Sequence, residues 1–215
     1  MDNFYDLMTT DADAVILAAG DFPTHPVPLQ LLEKYRERII CCDGAVGALL
    51  KAGYQPFAVV GDGDSISTEL RRQVSGQFIH ITEQETNDLS KSVYYAYNMR
   101  FTRLIILGAT GKREDHTLGN ISLLADYMEN AEVRMFTDHG VLTPCTGHSV
   151  FASQRGQQVS VFCMDTSPLT LRGLRWPVEN RHITRWWQAT LNEALSNRFK
   201  VITDSKVIVF QSYEK

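Results

Sequence analysis

Short, continuous apolar runs recur along the first two thirds of the chain, and segments with helical patterning separate them. The runs are Ala14-Val15-Ile16-Leu17-Ala18, Ile39-Ile40-Cys41-Cys42, Phe57 to Val60, Phe78 to Ile81, Leu104-Ile105-Ile106-Leu107 and Val133 to Phe136. Between them, helices are predicted around Leu29 to Glu37, Val46 to Ala52, Thr68 to Val74, Asp88 to Asn98 and Thr117 to Glu129. Strands apolar on both faces need cover on both faces, so this order dictates a layered α/β domain with a mostly parallel, doubly wound sheet.

Beyond about Pro144 the helical pattern fades and short alternating runs take over. Val150-Phe151, Val159 to Phe162, Leu169-Thr170-Leu171, Lys200-Val201-Ile202 and Val207 to Phe210 are linked by Gly, Ser, Asn and Pro. They read as a small antiparallel all-β domain. The expected division is therefore 1–143 and 144–215.

Composition narrows the partners. The 215 residues carry 44% hydrophobic content, enough for a real core, and a net charge of −4. An acidic chain has no basic field with which to grip a nucleic-acid backbone. The start, Met1-Asp2-Asn3-Phe4-Tyr5-Asp6, lacks the order of a signal peptide, and no apolar run is long enough to cross a bilayer. No membrane association and a cytoplasmic location are the expectations. Cys41, Cys42, Cys145 and Cys163 show neither Cys-x-x-Cys spacing nor clustered histidines, so they read as free thiols.

Acidic residues gather where the apolar runs end. Asp43-Gly44 follows the second run, Gly61-Asp62-Gly63-Asp64-Ser65 the third, Asp88 the loop after the fourth, and Asp115 the loop after the fifth. In an open parallel sheet ligands bind beyond the carboxyl ends of the strands. In extended backbone Asp62 and Asp64 share a face, an arrangement that suits a hard divalent cation completed by water and phosphate oxygens. Taken alone, Gly61 to Ser65 serves equally as a polar turn. Four acidic strand ends together favour a metal-phosphate site. The segment Gly108-Ala109-Thr110-Gly111-Lys112-Arg113-Glu114-Asp115-His116 adds glycines for close backbone approach and two cations, of which Arg113 can fork onto phosphate. His116 reads as structural.

In order, Asp43-Gly44-Ala45, Gly61 to Ser65, Gln84-Glu85-Thr86-Asn87-Asp88, Gly108 to His116 with Asn120, Gly173-Leu174-Arg175-Trp176-Pro177 and Ser196-Asn197 resemble the thiamine pyrophosphokinase family. The resemblance covers most of the chain. It implies an N-terminal α/β catalytic domain binding ATP and Mg2+, a C-terminal β-sandwich binding thiamine, and a homodimer with active sites at the subunit interface. The implied reaction moves the β,γ-pyrophosphate of ATP to the hydroxyl of thiamine, giving thiamine diphosphate and AMP.

By the same resemblance, Asp62, Asp64 and Asp88 bind magnesium, Asp43 lines the nucleotide and metal site, and Lys112 and Arg113 face the phosphates. Asp115 orients thiamine or accepts its hydroxyl proton. Gln84, Trp176, Ser196 and Asn197 contact thiamine, where an aromatic face suits a cationic thiazolium. Trp176 serves equally as a half-buried anchor of the β domain.

The chain departs from the family pattern at Asn87, where threonine is usual, at Lys112 and Glu114 beside Arg113, and at Ala194. Arg181 to Trp187 has no family counterpart and reads as an exposed or subunit-facing β segment. Rival readings are a pyrophosphokinase for another hydroxylated heterocycle such as a pterin, a non-catalytic nucleotide- or thiamine-binding regulator, and a phosphohydrolase.

Overall fold

A computed structural model describes residues 11–214. The Met1–Asp6 stretch read for a leader lies outside them. Among the described residues no helix is long and apolar enough to cross a membrane. The chain divides into two compact units, one of Ala12–Leu123 with Glu129–Asp138, the other of Leu124–Met128 with the chain from His139 onward.

The first unit holds six parallel strands: β1 (Ala14–Leu17), β2 (Ile39–Cys42), β3 (Ala58–Gly61), β4 (Gln77–His80), β5 (Arg103–Leu107) and β6 (Glu132–Phe136). Their order across the sheet is β6-β5-β1-β2-β3-β4. Every residue of β1, β2 and β3 is buried, as strands covered on both faces require. Edge strand β4 is half exposed. The chain builds outward from β1 to β4, then returns to place β5 on the other side of β1. That reversal puts a topological switch point between β1 and β5, the place where doubly wound sheets open a crevice.

The connecting helices are α1 (Pro26–Lys34), α2 (Val46–Lys51), α3 (Thr68–Gln73), α4 (Asp88–Asn98) and α5 (Glu114–Tyr127). Helix α1 starts three residues before the sequence pattern suggests. His25 caps it by accepting the Val27 N–H on Nδ1 at 3.2 Å, and Pro26 occupies its first position, where a missing N–H costs nothing. Asp138 then accepts the backbone N–H groups of Thr24 and His25, both at 3.0 Å, and fixes the entry to the helix. Helix α5 likewise starts early, with Glu114 and Asp115 in a first turn that favours negative charge.

The second unit is strand-rich and antiparallel: β7 (Gly140–Ala152), β8 (Gln158–Cys163), β9 (Pro168–Arg172), β10 (Val178–His182), β11 (Asn192–Glu193) and β12 (Arg198–Ser212). Strand β12 pairs with β7 along its length, and its register shifts between Thr203 and Val207. Before the shift its other edge carries β9, and after it β8. One long strand thus joins two sheet layers around a core of Val159, Val161, Leu171, Val201, Val207 and Val209. The rings of Phe151 and Phe199 stack at its margin, with centroids 5.1 Å apart. Arg181 to Trp187 is not one β segment. Strand β10 ends at His182, and Trp186–Ala189 forms a 3-10 turn whose Trp186 ring meets the Phe162 ring of β8 edge-on at 6.0 Å.

Candidate active site

The switch point carries a cleft of about 330 Å³. Its walls are the segments that leave the sheet: Ala18 to Gly20 after β1, Cys42 to Gly44 after β2, Asn87 to Leu89 at the start of α4, and Ala109 and Gly111 to Arg113 after β5. The loops after β1 and β5 lie against each other, since Gly20 N–H donates to Gly108 O at 2.7 Å and Asp21 N–H to Thr110 O at 2.8 Å. Gly111 has φ +79, and a Cβ there would lie 2.1 Å from an Asp21 carboxylate oxygen. Only glycine lets this loop close so tightly.

Asp43 is the buried member of the acid set, at 2% exposure. Its Oδ2 accepts the Gly63 N–H at 3.0 Å, and its Oδ1 is buried with no hydrogen-bond partner. An orphaned buried carboxylate oxygen is costly unless a cation meets it. Burial raises the Asp43 carboxyl above its ordinary range, and the charge of Asp88 pushes it the same way. Asp62 is the opposite case. Gln84 donates from Nε2 to its Oδ2 at 3.0 Å and Asp64 N–H to its Oδ1 at 3.2 Å, which hold its carboxyl down at about 2.

Ligand oxygens of Asp43, Asp62 and Asp64 all lie within 4.8 Å of one another. Three carboxylates, one of them with an unsatisfied buried oxygen, fit a hard divalent cation. Asp88 stands outside that triplet on the cleft wall, its Oδ1 accepting from Lys91 Nζ at 3.3 Å. Lys91 is 3% exposed and was not singled out in the sequence, where a lysine one turn into a helix looks like any solvated cation. Its only signal is the spacing of three from Asp88.

In the loop after β5, which also lines the cleft, Lys112 has φ +57 and anchors Nζ on Ala19 O at 2.8 Å. Arg113 forks onto Asp115, Nε to Oδ1 at 3.1 Å and Nη2 to Oδ2 at 2.5 Å. Both side chains are exposed, and Arg113 and His116 line the cleft.

Two domain models describe the chain consecutively. Residues 29–142 match the thiamin pyrophosphokinase catalytic domain, and residues 140–210 match the thiamin pyrophosphokinase substrate-binding domain.

The chain belongs to the thiamin pyrophosphokinase family.

A thiamine pyrophosphokinase of Bacillus subtilis is 31% identical over 151 residues, covering 66% of this chain and 71% of the relative. The crystal structure of thiamine pyrophosphokinase from Bacillus subtilis superposes with a TM-score of 0.77 at 24% identity, over 94% of this chain and all of that one. Thiamin pyrophosphokinase from Candida albicans gives 0.79 at 15% identity, over 97% and 90%. The last two establish the fold.

Within the segment matching the family's substrate-binding domain, Trp176 and Ser196-Asn197 share one end of the β unit. Leu195 N–H donates to Gly173 O at 3.0 Å and Arg175 N–H to Glu193 O at 2.8 Å, so the two loops run side by side. Asn192 clamps Trp176 by its backbone, accepting its N–H at 3.0 Å and donating to its carbonyl at 2.7 Å. Trp176 is 55% exposed, with the Arg175 guanidinium over its ring, 5.2 Å from the ring centre. The ring is thus fixed at its base and carries a guanidinium over one face. Ser153 holds the neighbouring loop, donating from its N–H to Asn197 O and from Oγ to Ser196 O, both at 2.9 Å.

Proposed function

We propose that this chain is a thiamine pyrophosphokinase that transfers the pyrophosphoryl group of ATP to the hydroxyl of thiamine. The observation that carries the reading is the acid-walled cleft at the switch point of a chain whose residues 29–210 match the family's catalytic and substrate-binding domains in order. In the reaction the thiamine hydroxyl oxygen bonds to the β-phosphorus of ATP, the bond from that phosphorus to the α,β-bridging oxygen breaks, and AMP leaves as the hydroxyl proton is lost.

The cleft residues divide the work by charge. Asp43, Asp62 and Asp64 hold a divalent cation, with Asp88 on the adjoining wall. Mg2+ is the hard cation this donor set fits, and when bound it supplies neutralisation of phosphate charge. Lys112 and Arg113 receive the phosphates from the loop after β5. For Arg113 this means exchanging Asp115 for phosphate oxygens, which frees Asp115 to orient the thiamine hydroxyl or take its proton. Gln84, Trp176, Ser196 and Asn197 are assigned to thiamine. The Trp176 ring already accepts the Arg175 guanidinium, and a ring that takes a cation suits the thiazolium, which favours thiamine over a neutral pterin alcohol.

A cytoplasmic homodimer with its sites between subunits belongs to the same reading. Trp187 and Leu191, 73% and 77% exposed, supply apolar surface for such an interface.

Incubation with ATP, Mg2+ and either thiamine or a pterin alcohol tests the proposal. Thiamine diphosphate and AMP from thiamine alone are expected. Transfer to the pterin, or inorganic phosphate released without an acceptor, would overturn it.

A further inference from the structure

Two walls of the cleft belong to different crossovers of the sheet, and a pair of amides joins them. On one wall Asn87 caps α4, accepting the Ser90 N–H on Oδ1 at 2.9 Å, and so sets the helix start that carries Asp88. Its Nδ2 donates to Asn120 Oδ1 at 3.1 Å. Asn120, in α5 and 9% exposed, donates in turn from Nδ2 to Ala109 O at 2.8 Å. Ala109 lies in the loop that brings Lys112 and Arg113 to the cleft.

The ends of this chain dictate its direction. The Ser90 N–H can only donate, so the Asn87 oxygen faces it and the Asn87 nitrogen faces Asn120. The Ala109 carbonyl can only accept, so the Asn120 nitrogen faces it and the Asn120 oxygen faces Asn87. Neither amide can flip without breaking two bonds. A side chain one bond shorter than asparagine at position 87 caps the helix but does not reach Asn120.

We propose that Asn87 and Asn120 are positioning residues, a relay that fixes the spacing between the carboxylate wall and the phosphate-side loop and through it the binding of the nucleotide. The inference rests on reading the cleft as the ATP site. Neither amide exchanges a proton or touches a reacting atom in this account. They act through Asp88 and the Ala109 to Arg113 loop. Because the relay has one route through two residues, cutting either link releases the same constraint, so the two losses do not add.

The test is a double-variant cycle with Asn87→Ser, which retains a neutral capping oxygen, and Asn120→Ala. The readouts are calorimetric binding of a non-hydrolysable ATP analogue with Mg2+, the KM values for ATP and thiamine, and thermal unfolding. Each single variant is expected to weaken analogue binding about three- to tenfold, the size of one lost internal hydrogen bond. The double variant should bind no more weakly than the worse single. The KM for ATP should rise in parallel while the KM for thiamine stays put, a split that general destabilisation would not produce. Wild-type binding by Asn87→Ser, or single effects that multiply in the double variant, would overturn the relay. Wild-type protein that binds the analogue but forms no thiamine diphosphate would count against the reaction proposed above, and the binding cycle would still decide the relay.

Discussion

Gly61 is expected to be the most demanding backbone position in the acid set. A Cβ at this residue would stand 2.6 Å from both Cγ and Oδ2 of Asp43, and 2.9 Å from its Cβ. Non-bonded carbons rest about 3.5 to 4.0 Å apart, so Gly61→Ala forces the Asp43 carboxylate to move by roughly 1 Å. Asp43 is 2% exposed and has little room to yield. Retreat breaks its 3.0 Å bond from the Gly63 N–H. A hydrogen bond to a charged acceptor is worth about 1.5 to 3 kcal/mol, and overpacking a tight site costs about 1 to 3 kcal/mol. Since the same movement causes both, they overlap, and the net expectation is about 2 to 3 kcal/mol. For a chain of this size that lowers the melting temperature by about 4 to 12 °C. Thermal unfolding measures the loss, and calorimetric titration with Mg2+ or Mn2+ should show cation binding weakened with it. A variant that melts with the wild type and binds the cation equally well would refute the reasoning, because Asp43 would then not be held where the metal account needs it.

Asp62→Asn and Asp64→Asn should each lower kcat/KM by roughly 10² to 10³, the scale of losing one preorganised electrostatic contact, with the smaller change in melting temperature at Asp64, which is exposed where Asp62 is half-buried. Trp176→Ala should raise the KM for thiamine about 3- to 30-fold through the lost cation-facing ring and leave the KM for ATP unchanged, as steady-state kinetics will show. Asp13 accepts from Arg103 Nη2 at 2.8 Å and from the Thr102 and Arg103 N–H groups at 3.0 Å, and the Arg103 bond chiefly holds its carboxyl below the ordinary 3.8. A depressed folded value gives stability that is full above about pH 4 and lost as pH falls through it. Asp13→Asn should therefore cost about 1 kcal/mol at pH 7, discounted for the exposed Arg103, with the gap to wild type closing below pH 4 in urea titrations. For the proposed homodimer, Trp187→Ser should shift a sedimentation profile from dimer toward monomer, and an unchanged profile would remove that surface from the proposed interface.

The parallel sheet was legible because burial on both faces leaves no polar residue inside β1, β2 or β3. Ile39–Cys42 has the same limits in sequence and structure. The start of α4 was legible too, since Asn87-Asp88 carries its own cap. Helix α1 was placed late because its apolar period begins at Leu29, whereas capping by His25 and Pro26 sets the true start. The sequence sets Asp88 with Asp62 and Asp64 and leaves Asp43 on the lining, whereas Asp43 is the acid that lies beside the pair, because β2 is the strand paired with β3. Lys91 was hidden because its burial is decided by what packs around α4, not by its neighbours in the chain. The Asn87–Asn120 contact was hidden for a similar reason, as 33 residues separate two amides that carry no mark of pairing.

The proposed reaction is transfer of a pyrophosphoryl group from ATP to thiamine in the acid-walled cleft. ATP labelled at both the β- and γ-phosphates, incubated with thiamine, Mg2+ and the protein, tests it most directly. Both labels are expected in thiamine diphosphate, with one AMP formed per product molecule. Thiamine monophosphate with ADP, or labelled phosphate with no thiamine product, would contradict it.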